Sequence, residues 1–87
     1  MNENSKLDLS KIKEDFTGEL NSGERDLYFW QYNKLGGFMT QIFDAMAVAD
    51  TPNLNKIGKG FPEQVQAYKD YGNKKGYWQS IKLRMES

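Results

Sequence analysis

Apolar residues fall in short periodic runs along the chain. Leu9, Ile12, Phe16 and Leu20 recur at steps of three and four, the spacing of one helical face. Asp8 or Ser10 offers a side-chain acceptor for the free N–H groups at its start, and Gly18 predicts an end near Thr17, with Leu20 packing from the following turn. Asn21-Ser22-Gly23-Glu24 is a second start signal. Asn21 suits the N-cap, and Glu24 three residues on completes a capping box. Leu27, Tyr28, Phe29, Trp30, Tyr32 and Leu35 follow.

Gly36-Gly37 interrupts this run, since each glycine costs a helix about 1 kcal/mol relative to alanine. The phase nevertheless continues through Tyr28, Tyr32, Leu35, Met39, Ile42 and Met46. Two alternatives remain open: one helix with a local bend, or two helices meeting at a tight joint. Phe38 to Val48 reads as helix, with Phe38, Ile42, Ala45, Met46 and Ala49 on its apolar face and Phe43 at the flank. Thr51-Pro52 predicts the next start, with Thr51 as N-cap and a short helix to about Lys59 that turns Leu54 and Ile57 inward. Pro62 opens another, with Phe61, Val65, Tyr68 and Tyr71 as its buried stripe and Gly72-Asn73 as its stop. A last helix, Tyr77 to about Met85, faces inward with Trp78, Ile81 and Met85. No segment sustains strand alternation. The expected fold is all-α: a compact bundle of four to six short helices in a single domain over 7–87, after a frayed N-terminus over 1–6.

Composition limits the core. The chain has 87 residues, of which 38% are apolar, so its burial is meagre, and the 14% aromatic content partly compensates because large rings bury much area. Neither cysteine nor histidine occurs. That removes disulfides, thiolate metal sites, and the commonest general base and metal ligand together. Asp44 and Asp50, six apart, do not share a helix face, and Gly58-Lys59-Gly60 lacks the Ser or Thr and the preceding strand of a phosphate loop. No catalytic residue, cofactor site or metal site is expected. No run reaches the roughly 18 apolar residues of a membrane span, and Met1 to Lys6 lacks an apolar leader core, so the expected setting is the cytoplasm.

Binding therefore remains as the expected role. Tyr28, Phe29, Trp30 and Tyr32 are arranged all around one helix and cannot all face one core. Tyr28, Trp30 and Tyr32 are accordingly the candidate contacts for another protein, against the plainer reading that they are core rings of a small aromatic-rich bundle. Trp78, in phase with Ile81 and Met85, reads as core, and so do Met39 and Met46. Charge suggests an alternative. Residues 1–50 hold five Lys/Arg against nine Asp/Glu, a net of −4, whereas 51–87 hold seven against three, a net of +4. Lys69, Lys74, Lys75, Lys82 and Arg84, interleaved with Tyr71 and Tyr77, are candidates for binding nucleic acid. Against that stand the zero net charge of the whole chain and its poverty in arginine.

The stretch Leu35-Gly36-Gly37-Phe38-Met39-Thr40, then Ala49-Asp50, Asn53-Leu54, Lys56-Ile57 and Gly60-Phe61-Pro62-Glu63-Gln64-Val65, is similar to a pattern in small uncharacterised proteins of phages and other mobile elements. The resemblance spans roughly residues 28 to 80, and its most specific piece is the succession FMTxxF, AD, GFPExV. It implies no known activity and assigns no functional residue. What it implies is a setting in which short non-enzymatic proteins act by occluding a host protein. The expectation is a non-enzymatic protein-interaction module whose partner is a host protein or a second copy of itself, with no membrane and no metal involved.

Overall fold

The computed structural model describes residues 19–86, which form five α-helices and no strand. These are α1 (Ser22–Gln31), α2 (Gly37–Val48), α3 (Thr51–Gly60), α4 (Pro62–Asn73) and α5 (Tyr77–Glu86). The fold is thus the expected all-α bundle. The helix expected over 8–17 and the frayed segment 1–6 lie outside the described residues.

The start of α1 is the predicted capping box. Asn21 Oδ1 accepts from the Glu24 N–H at 2.8 Å, and Glu24 Oε1 accepts from the Asn21 N–H at 3.1 Å. Its end is set by Asn33, three residues before the glycines. The Lys34 N–H reaches back to the Phe29 carbonyl (2.8 Å) and the Asn33 N–H to that of Trp30 (3.1 Å), while Asn33 takes the left-handed φ of 57°. This is a Schellman closure with asparagine in the place usually held by glycine. Two helices therefore meet here, with Gly36 as the N-cap of α2 and Gly37 as its first residue.

Although the chain turns at Asn33, the expected stripe keeps its side: Tyr28, Leu35, Met39 and Ile42 pack against the core and Met46 lies in it, while Tyr32 is exposed. Phe43 and Met46 are fully buried, whereas Phe38 is 65% exposed and Ala45 is exposed. Phe43, expected at the flank, is the largest fully buried side chain, and Phe38 faces outward, contrary to its expected inward placement. The cap of α3 also moves by one residue. Asp50 Oδ1, rather than Thr51, accepts from the Asn53 N–H at 3.0 Å, and Thr51 and Pro52 are the first two helical residues. Leu54 and Ile57 pack against the core as expected. Helix α4 ends at the expected Asn73, but Tyr71 is exposed and the buried polar Gln64 occupies its inner face beside Val65 and Ala67. A turn closed by the Tyr77 N–H on the Lys74 carbonyl, with Gly76 at φ 84°, leads into α5. There Tyr77, Ser80 and Ile81 are buried, while Trp78 and Met85 are half-buried.

Leu20, Leu27, Phe43, Met46, Val65, Ala67, Tyr77 and Ile81 form the core. The most extensive contact is between α1 and α4, and it is very close. A Cβ built on Gly23 would lie 2.1 Å from the Glu63 carbonyl oxygen. Side chains of the two helices then satisfy each other's polar groups. The Ser22 N–H and hydroxyl both donate to Glu63 Oε1, and Gln64 Nε2 donates to Asp26 Oδ2 (3.1 Å) and Ser22 Oγ (3.3 Å). The partners of Gln64 explain how a polar amide is stable inside.

Glu24 also ties α1 to α5. Its Oε2 accepts from the Tyr77 hydroxyl at 2.9 Å and from Arg84 Nη2 at 3.3 Å, while Arg84 Nε donates to Ser80 Oγ at 3.0 Å. Burial, and next the hydrogen bond to Glu24, raise the Tyr77 pKa well above the ordinary tyrosine value of 10.0. The folded protein thus holds this proton at pH values where the unfolded chain releases it. The stability that the protonated Tyr77 contributes is fully present below about pH 10 and is lost progressively above it, by about 1.4 kcal/mol per pH unit for one such group. Urea titrations at rising alkaline pH should show a shallower decline for Tyr77→Phe than for the wild type. Equal slopes would mean that Tyr77 ionises freely in the folded state.

Candidate functional site

Tyr28 of α1 and Tyr32, its C-cap, lie one helical turn apart, so their rings share a face, with centroids 5.0 Å apart. Trp78 of α5 meets both, at 6.0 and 6.3 Å, and Tyr71 of α4 sets its ring edge-on to Trp78 at 5.7 Å. Three helices thereby build a continuous aromatic platform. It remains open to solvent: Tyr32 is 46% and Tyr71 36% exposed, and Tyr28 and Trp78 are half-buried. Beside it runs an open groove of about 400 Å³, lined by Tyr28, Phe29, Tyr32, Lys34 and Glu86.

Polar contacts fix the platform's edges. The Tyr28 hydroxyl donates to Glu86 Oε2 at 2.8 Å, and this bond is the chief cause of a Tyr28 pKa above the usual value. The bond orients the Tyr28 hydroxyl toward α5. Lys82, one turn beyond Trp78, places its ammonium 5.9 Å from the centre of that ring, within cation–π range.

Of the three predicted contact aromatics, the structure brings Tyr28 and Tyr32 together and sets Trp30 apart. Trp30 stacks on the buried Phe43 (5.2 Å, 28°), lies 6.2 Å from Tyr68, and donates from Nε1 to Asp44 Oδ1 at 3.0 Å. It seals the rim of the core. Trp30→Phe keeps the stacking and loses the hydrogen bond, so thermal or urea unfolding should report a loss of about 1 kcal/mol. Trp30→Ala should cost about 3 kcal/mol or more. Equal losses in the two variants would mean that the stacking contributes nothing.

The core stripes read for Tyr71 and Trp78 hide their part in the platform: Tyr71 is exposed, and Trp78 packs against the core yet stays half-exposed. The i, i+4 pairing of Trp78 with Lys82 was the available sign that this face looks outward. The basic candidates do not converge. Lys74 pairs with Asp70 at 3.6 Å, Arg84 with Glu24 at 3.3 Å through side chains each 13% exposed, and Lys82 sits over Trp78. Lys75 is exposed in the turn before α5, and Lys69 is half-buried on α4. Among the described residues no three carboxylates gather to hold a metal ion, and no helix is long and apolar enough to cross a membrane. Comparison with protein families, curated proteins and solved structures finds no match to this chain.

Proposed function

We propose that this chain is a non-enzymatic protein-interaction module acting in the cytoplasm, and that it binds through the platform of Tyr28, Tyr32, Tyr71 and Trp78. The observation behind this reading is that four large rings from three helices share one solvent-facing surface on a chain with few apolar residues to spare. Clustered tyrosine and tryptophan give large contact area at small entropic cost, which is why they dominate binding hot spots. The resemblance to phage and mobile-element proteins favours a host protein over a second copy as the partner. Binding to nucleic acid has less support, since Arg84 and Lys74 spend their charge on Glu24 and Asp70.

The test is size exclusion with light scattering, on the protein alone and after mixing with lysate of its natural host, before and after nuclease. Tyr32→Ala removes a ring that is nearly half exposed, so its thermal midpoint should stay near the wild type. The expected result is a discrete nuclease-resistant complex that Tyr32→Ala weakens by about 2 kcal/mol. A complex abolished by nuclease, or one indifferent to Tyr32→Ala and Tyr71→Ala, would overturn the proposal.

A further inference from the structure

The described charges differ in what they touch. Every carboxylate from Glu24 onward accepts a hydrogen bond or an ion pair from the protein itself, as a cap, a helix-to-helix tie, a tyrosine or tryptophan anchor or, for Asp70, a partner of residues four away along the chain. The lysines behave otherwise. Among the described residues only Lys74 has a carboxylate partner, and Lys34 and Lys82, which border the platform, have none. Lys34 follows the left-handed Asn33, and the bond from its N–H to Phe29 fixes its backbone at the groove. Lys82 is held over the Trp78 ring. The aromatic surface is thus bordered by the ammonium groups of Lys34 and Lys82, with the Glu86 carboxylate, held by the Tyr28 hydroxyl, in the groove.

Resting on the reading of the platform as a protein-binding face, we propose that its partner is an acidic protein segment. An apolar or aromatic side chain of that segment lies on Tyr28, Tyr32 and Trp78, and flanking Asp or Glu residues pair with Lys34 and Lys82. Charge complementarity of this kind sets partner choice and speeds encounter. A second copy is the poorer occupant, because a two-fold contact through this patch would bring its lysines against themselves. A nucleic-acid strand, with a phosphate at every nucleotide, would meet the Glu86 carboxylate in the groove, whereas a peptide can space its acids to avoid it.

The probes are three labelled short peptides and an oligothymidylate, measured by fluorescence anisotropy against the whole protein. The peptides share a Phe-Leu centre and differ only in flanks of Glu, Gln or Lys. The expected order is Glu, then Gln, then Lys, with the Glu peptide about tenfold tighter than the Gln peptide at low salt and the gap closing as salt rises. Lys34→Glu with Lys82→Glu should reverse the order. If that variant fails to fold, Lys34→Gln with Lys82→Gln should abolish the preference. Glu and Gln peptides binding equally, both weakened by Tyr32→Ala, would overturn the acidic partner while leaving the platform as a binding face. Oligothymidylate outcompeting the Glu peptide would overturn it in favour of nucleic acid. Binding of none of the probes would overturn both readings.

Discussion

Replacing Gly23 by alanine is expected to lower the unfolding free energy by about 2 to 3 kcal/mol, although helix propensity alone predicts a gain of about 1 kcal/mol. The sign is decided at the crossing of α1 and α4. The added methyl would lie 2.1 Å from the Glu63 carbonyl oxygen and 2.6 Å from the Gln64 nitrogen, and both are backbone atoms that no rotamer change can move. The helices must part, and parting them also breaks the bonds that Ser22 and Asp26 make to Glu63 and Gln64. Gly58 supplies the contrast. A Cβ there would touch the Val65 side chain at 3.6 Å, an ordinary contact, so Gly58→Ala should be neutral or stabilising by up to about 1 kcal/mol. Urea denaturation of both variants reads the two signs directly. A stabilised Gly23→Ala would show that the crossing is looser than described.

Glu24→Ala is expected to cost about 3 kcal/mol, against about 1 kcal/mol for Asp50→Ala. Each residue belongs to a helix start, but their duties differ. Asp50 caps α3 with a single bond to the Asn53 N–H. Glu24 bonds the Asn21 N–H, accepts from the Tyr77 hydroxyl and pairs with Arg84 where both charged side chains are 13% exposed. Its removal withdraws an acceptor from three donors, the largely buried Arg84 guanidinium among them. Thermal unfolding of the two variants at neutral pH makes the comparison. Equal losses would mean that Glu24 acts only as a cap.

What the sequence revealed of the fold was what neighbours along the chain decide. The Asn21–Glu24 box, the starts at Pro52 and Pro62, and the stop at Asn73 each depend on residues within a few positions of one another. The errors began where a contact from elsewhere overrode the local pattern. A stripe drawn from Tyr28 to Met46 assumed one continuous phase. Asn33 turns the chain within it by adopting a left-handed conformation that nothing in the apolar spacing signals; Tyr28, Leu35, Met39, Ile42 and Met46 still meet the core, but Phe38 and Phe43 exchange their expected places. Gln64 was invisible as an inner residue because its partners, Ser22 and Asp26, come from another helix.

The same division holds for the aromatic platform. Tyr28 and Tyr32 share a helix, so their pairing was legible from spacing four. Tyr71 and Trp78 join them only through the packing of α4 and α5 against α1. Trp30 belongs to the same aromatic run, yet, two residues from each tyrosine, it stands on the opposite side of the helix and meets Phe43 and Asp44.

The close meeting of α1 and α4 also bears on how quickly this chain folds. Ser22 and Glu63 are 41 residues apart, and α2 and α3 form the excursion between them. The closest contact of the bundle therefore waits for a long loop to close, which slows folding relative to a bundle of sequential neighbours. Loop-closure entropy grows only logarithmically, at about 0.6 kcal/mol per doubling of length. Extra residues spliced between α2 and α3, at Ala49-Asp50, should thus leave the native state nearly as stable while lengthening the search that reaches it.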